Sequence, residues 1–190
     1  MTTIIAIQSN KWAVAGADTR STDSTGSPVV MATSKIINNS GILIAGAGSV
    51  RGCNIMQFQF QPPKPVGDLD KYMSRRFIPA MRKAFQDGGF DIKQDSQAAE
   101  HDSEFIVIVR GNVYLISDDY SWERSRSGVY AIGSGSAFAL GALAALNPTS
   151  KWDDPLKAET DISQALDIAA RYDIYTSAPF DILMQRKAVQ

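Results

Sequence analysis

The chain opens Met1-Thr2-Thr3-Ile4-Ile5-Ala6-Ile7. Threonine and isoleucine are β-branched and favour extended backbone, so residues 2–7 read as a strand. The place of the threonines adds a chemical reading. Removal of Met1 would leave Thr2 with a hydroxyl and a free α-amine on one residue, so that a nucleophile and its base share a single position.

Residues 12–17 read as a second strand, folded back through the turn Gln8-Ser9-Asn10-Lys11. Gly26-Ser27-Pro28 marks a further turn. Lys35-Ile36-Ile37 and Ile42-Leu43-Ile44-Ala45 form another short pair, and the glycine-rich Ala45-Gly46-Ala47-Gly48-Ser49 leads into a helix over 50–59. Gln61-Pro62-Pro63-Lys64-Pro65 stops it. Asp68 can cap the next helix, whose face is Leu69, Met73, Phe77, Met81 and Phe85, four residues apart each time, with Gly88-Gly89 ending it. Residues 90–103 are polar and expected to be an exposed loop. Phe105 to Val109 and Val113 to Ile116 flank Arg110-Gly111-Asn112, a hairpin signal. A strand over 129–132 leads through Gly133-Ser134-Gly135 into a small-residue helix over 137–146. A last helix is expected over 161–172, then edge strands at 174–176 and 180–184. Strands and helices come in groups and hairpins dominate. That order argues for an α+β fold of antiparallel sheets with helices outside them, not a doubly wound parallel sheet.

Composition removes several functions. At 190 residues the chain is long enough for one domain with a sizeable core. Lys and Arg number 19 against 20 Asp and Glu, a balance that supports neither nucleic acid nor an anionic membrane as partner. The one cysteine, Cys53, excludes an intrachain disulfide and a zinc cluster. In an apolar helix it reads as a small core residue. No apolar run approaches a membrane span, and the first residues lack the pattern of a secretory signal, so the expected location is cytoplasmic. The one histidine, His101, lies in the polar stretch Ala-Glu-His-Asp-Ser-Glu and is expected in a solvated loop. A Ser-His-Asp triad would have to use it, which counts against such a hydrolase.

A threonine at the N-terminus needs partners. Its α-amine has an ordinary pKa of about 7.7–8.0 and is partly neutral near pH 7. A neighbouring cation would keep it deprotonated, a carboxylate would hold that cation, and a backbone N–H would meet the oxyanion. Asp18, Lys35, Gly46 and Ser134 can supply these parts. Each alone has a plain reading: turn residue, solvated lysine, tight turn and helix cap.

Taken in order, MTTIIAI, GADTR, SKI, ILIAGAGS, YAIGSGS and ALDIAARYDIYTS resemble the β-type proteasome subunits, and most of all the HslV-type bacterial proteasome-like peptidases. The resemblance covers most of the chain. It implies an N-terminal nucleophile hydrolase fold, a four-layer αββα sandwich over residues 1–190. It implies Thr2 as nucleophile, Asp18 and Lys35 as the active-site acid and lysine, Gly46 as the oxyanion glycine and Ser134 as the serine beside the amine. Asp173 and Thr176 resemble a supporting loop that in some members holds a monovalent cation; the chemistry needs no metal. The implied partners are unfolded polypeptide, further copies in a hexameric or heptameric ring that is stacked in some members, and an AAA+ ATPase unfoldase. The chain departs from the pattern in one extra residue between Asp18 and Lys35, in Arg51-Gly52 where an acidic residue is usual, and in a longer loop over 88–103. Two rival readings stand beside the peptidase: a silent ring or assembly component that keeps Met1, and a hydrolase of a small amide.

Overall fold

A computed structural model describes residues 2–22, 25–91, 100–149 and 151–187. The first strands are β1 (Ile4–Gln8), β2 (Trp12–Asp18), β3 (Arg20–Thr22), β4 (Pro28–Val30), β5 (Ile36–Asn39) and β6 (Ile42–Gly48). Helices α1 (Val50–Asn54), α2 (Leu69–Tyr72) and α3 (Ile78–Asp87) follow. The second half runs β7 (Ser103–Val109), β8 (Asn112–Ile116), β9 (Trp122–Glu123), β10 (Val129–Ile132), α4 (Ser136–Leu146), α5 (Pro155–Tyr172) and β11 (Phe180–Arg186).

One sheet has the order β10-β1-β2-β11 and the other β5-β6-β7-β8-β9, both antiparallel throughout. They stack face to face with a helical layer on each outer side, the expected α+β sandwich. The alternation of side chains along a strand explains the unbroken apolar run of β1. Ile4 and Ala6 point between the sheets, against Leu43, Ala45, Ile106 and Ile108. Ile5 and Ile7 point the other way, into the layer of α4 and α5, against Leu143, Ile162 and Leu166. β7 divides its residues likewise, with Phe105, Val107 and Val109 facing the helical layer of α1 to α3.

The stripe Met73, Phe77, Met81 and Phe85 is fully buried, with Leu69 packed against its end. A spacing of four advances about 400° in an ideal α-helix, so such a stripe drifts about 40° at each step. The stretch Met73–Phe77 between α2 and α3 is π-helical, which underwinds the chain and keeps the stripe on the sheet. A second π-helical stretch, Ile55–Gln59, extends α1.

Several expectations need correction. α5 begins at Pro155, six residues before the expected 161, because Asp154 caps it through Leu156 N at 3.0 Å and Pro155 fits the first turn. Residues 174–176 are not a strand; of the two expected edge strands only β11 forms, on the free side of β2. β3 and β4 form a separate two-stranded ribbon. His101 is not solvated. It is 0% exposed, stacked on Phe85 at 4.8 Å and edge-on to Tyr120 at 4.6 Å. Much of the expected loop over 90–103 (residues 92–99) lies outside the described residues, as does Met1.

Candidate active site

Thr2 and Thr3 precede β1 and are buried, at 6% and 0% exposure. β1 pairs with β2 in the register Ile4↔Ala17, which sets Thr3 opposite Asp18. Asp18 N donates to the Thr3 carbonyl at 3.2 Å, and Thr3 N donates to Asp18 Oδ1 at 2.9 Å. Asp18 Oδ2 accepts from Arg20 N at 3.0 Å. The carboxylate is thus fixed by two main-chain donors before any cation is counted.

Lys35 stands directly before β5. Ser34 Oγ accepts from Ile36 N at 3.1 Å, and Gln57 Nε2 donates to the Ser34 carbonyl at 3.1 Å, so the backbone around Lys35 is held from both sides. Its Nζ donates to Thr2 Oγ1 at 2.7 Å, to Asp18 Oδ1 at 2.8 Å and to the Arg20 carbonyl at 2.5 Å. Burial pulls the lysine below its ordinary pKa, and the Asp18 carboxylate pushes back. An ammonium held this way stabilises negative charge on the Thr2 oxygen.

β5 begins opposite Ala45 and pairs no further along β6, whereas β7 pairs along β6 as far as Gly48. Gly46, Ala47 and Gly48 therefore have a sheet neighbour on one side only. Gly46 and Gly48 line a small pocket with Thr2, Lys35, Ser21, Met31 and Cys53. A β-carbon on Gly46 would stand 2.7 Å from Cys53 Sγ and 2.6 Å from the Phe105 ring, so this backbone stays bare.

Behind Thr2, the turn before α4 meets the end of α5. Ser134 Oγ lies 2.8 Å from Asp173 Oδ2 and 3.4 Å from the Thr2 carbonyl oxygen. Thr176 Oγ1 donates to the same Asp173 oxygen at 2.6 Å, and Tyr175 N reaches Asp173 Oδ1 at 3.3 Å. Gly133 makes the approach possible. Its φ is +85°, and a side chain there would collide with the Thr2 carbonyl.

Of the seven residues singled out from the sequence, six thus lie around Thr2: Asp18, Lys35 and Gly46 on one side, and Ser134, Asp173 and Thr176 on the other. Sequence reasoning missed Thr3, whose Oγ1 lies 2.5 Å from Thr176 Oγ1; the doubled threonine was the available signal. It also missed the site position of Cys53. Burial raises that thiol to about 11, against the pull of Lys35, so it is an uncharged wall of the pocket.

No group of three or more metal-ligating side chains is gathered among the described residues. The loop after α5 fits a monovalent cation poorly. The Ile174 carbonyl accepts from the Arg20 guanidinium at 2.6 Å, and both Asp173 oxygens are engaged.

No family model matches the chain, and no curated protein matches it in sequence. Solved structures do match. BPH of Thiobacillus denitrificans superposes with a TM-score of 0.79 at 18% identity, covering 100% of both chains. The same protein in complex with epoxomicin gives 0.78 at 19%, over 99% of this chain and 100% of that one. HslV from Trypanosoma brucei gives 0.68 at 19% identity, over 97% of this chain and 99% of that one. At 18–19% identity these likenesses concern the fold alone, and the fold of this chain is the αββα sandwich of these BPH and HslV structures.

Proposed function

We propose that the mature chain begins at Thr2 and is a threonine peptidase that hydrolyses unfolded polypeptide inside a ring of its own copies. The observation that carries this reading is the lysine geometry. One buried ammonium lies 2.7 Å from Thr2 Oγ1 and 2.8 Å from Asp18 Oδ1. Asp18 balances the buried charge of Lys35, and the further contact aims the same ammonium at the Thr2 hydroxyl, where it would stabilise a developing alkoxide.

In this mechanism the α-amine of Thr2 takes the hydroxyl proton, and the oxygen attacks the scissile carbonyl. Lys35 lowers the cost of negative charge on that oxygen, and Asp18 holds Lys35 in place. The Gly46 N–H, on the open edge of β6, meets the oxyanion. The amine then protonates the departing amine of the product, and water hydrolyses the acyl ester on Thr2. Ser134 and Asp173 flank the Thr2 main chain and keep the amine in reach. Epoxomicin bound to the Thiobacillus BPH supports the same reading for this pocket. A cytoplasmic location and an AAA+ unfoldase partner extend the proposal; among the described residues no helix is long and apolar enough to cross a membrane.

The test is hydrolysis of fluorogenic peptides and of unfolded casein by the protein with Thr2 confirmed as first residue. Thr2→Ala is expected to abolish both activities, and Thr2→Ser to keep part of them. Equal activity in wild type and Thr2→Ala would overturn the proposal. Activity on small amides with none on peptides would replace the peptidase with an amidase.

A further inference from the structure

We propose that Thr3 is a positioning residue for the reaction. Its hydroxyl donates to Thr176 and so strengthens the hydrogen bonds that run through Thr176 and Asp173 to Ser134, whose oxygen is left as an acceptor beside the Thr2 amine. The inference rests on the peptidase reading above.

The direction follows from proton counting. A carboxylate oxygen only accepts. Thr176 Oγ1 lies 2.6 Å from Asp173 Oδ2 and has one proton, which it gives to that oxygen. The 2.5 Å contact between Thr3 Oγ1 and Thr176 Oγ1 must then have Thr3 as donor. Ser134 also has one proton. The carboxylate at 2.8 Å takes it in preference to the Thr2 carbonyl at 3.4 Å. Asp173 Oδ2 therefore receives two hydroxyl donors, and Thr3 polarises one of them. With its proton directed to Asp173, the Ser134 oxygen keeps its lone pairs for a donor on Thr2. They can accept an N–H of its amine, which leaves the amine lone pair for the Thr2 hydroxyl.

The chain of bonds is out of water. Thr3 and Thr176 are 0% and 1% exposed and Asp173 is 7% exposed, so each bond strengthens the next. The space around it is closed as well. A side chain on Gly135 would collide with Thr3 Oγ1 and would stand 3.0 Å from both Asp173 Oδ2 and Thr176 Oγ1. Thr3 is also tied through its main chain to Asp18, so one residue braces both halves of the site. Its hydroxyl touches no substrate and no reacting atom.

The experiment compares wild type, Thr3→Val and Thr3→Ser with a fluorogenic peptide across pH, with rates normalised to sites titrated by an electrophilic probe. Losing the hydroxyl is expected to lower kcat roughly fivefold, the effect of one hydrogen bond, with KM little changed. A less satisfied Asp173 favours the ammonium form of the amine, so the acid limb of kcat/KM moves to higher pH. Thr3→Ser is expected to restore both. Thr3→Ala serves in place of Thr3→Val if the latter does not fold. Per-site kcat and an acid limb equal to wild type in the variant without the hydroxyl would overturn the inference while leaving the peptidase reading intact. An inactive wild type would overturn the peptidase reading, and this inference with it.

Discussion

Replacing Lys35 by Met tests the core of the site without any assay of catalysis. Lys35 is 5% exposed and Asp18 is 0% exposed, and their charged atoms are 2.8 Å apart. Removing one partner of a buried pair costs about 3–5 kcal/mol because the other charge is left uncompensated. Asp18 keeps two main-chain donors, Thr3 N and Arg20 N, which places Lys35→Met near the lower end, about 3 kcal/mol. Asp18→Asn alone strands the ammonium against Thr2 Oγ1 and the Arg20 carbonyl. The double variant Asp18→Asn/Lys35→Met carries no stranded charge, and its cost should fall short of the sum of the singles by about 2 kcal/mol. Urea unfolding followed by tryptophan fluorescence reads all four proteins. One protein concentration is needed throughout, since any assembly shifts apparent stability by mass action. Additive costs, or a Lys35→Met cost below about 1 kcal/mol, would refute the buried pair.

Three further outcomes follow from other parts of the molecule. Gly133→Ala must hold a left-handed φ of +85° and meet the Thr2 carbonyl; it should lose more than the ~1–2 kcal/mol of the backbone term, and an unchanged melting temperature would count against the close approach at Thr2. Cys53, with its thiol raised to about 11, should resist iodoacetamide at neutral pH and react as pH nears that value; fast alkylation at pH 7 would contradict this. Burial holds the His101 imidazole below its ordinary pKa, against the charges of Asp118 and Asp119. Unfolded chain then takes up a proton first as pH falls. The stability due to the neutral ring is complete above about pH 6.5 and is lost as pH drops through that value toward the folded pKa. His101→Phe should flatten that acid slope, and an identical slope would sink the account.

The sequence made the framework legible wherever one local rule governed. The period-four stripe of Met73, Phe77, Met81 and Phe85 announced a buried helix face, although the π-helical turn that keeps it aligned has no simple signal. Arg110-Gly111, both with positive φ, formed the expected hairpin. The Asp154-Pro155 pair is a local start signal for α5, six residues before the expected 161. His101 could not be placed by its neighbours in the chain. Its surroundings are Phe85, Phe105 and Tyr120, brought together only by the packing of α3 on the second sheet. The site divides in the same way. Thr2, Asp18, Lys35, Gly46 and Ser134 stood out through an ordered resemblance. Thr3 and Cys53 took on a place in it only through side-chain geometry.

The central claim is that Thr2 is a nucleophile whose hydroxyl and amine act together. The most direct measurement is intact mass before and after epoxomicin, followed by mapping of the modified residue. Protein that begins at Thr2 should gain one adduct per chain, located on Thr2, and Thr2→Ala should gain none. No adduct on wild type, or an adduct on Cys53 with Thr2 unmodified, would contradict the account and favour a silent assembly component.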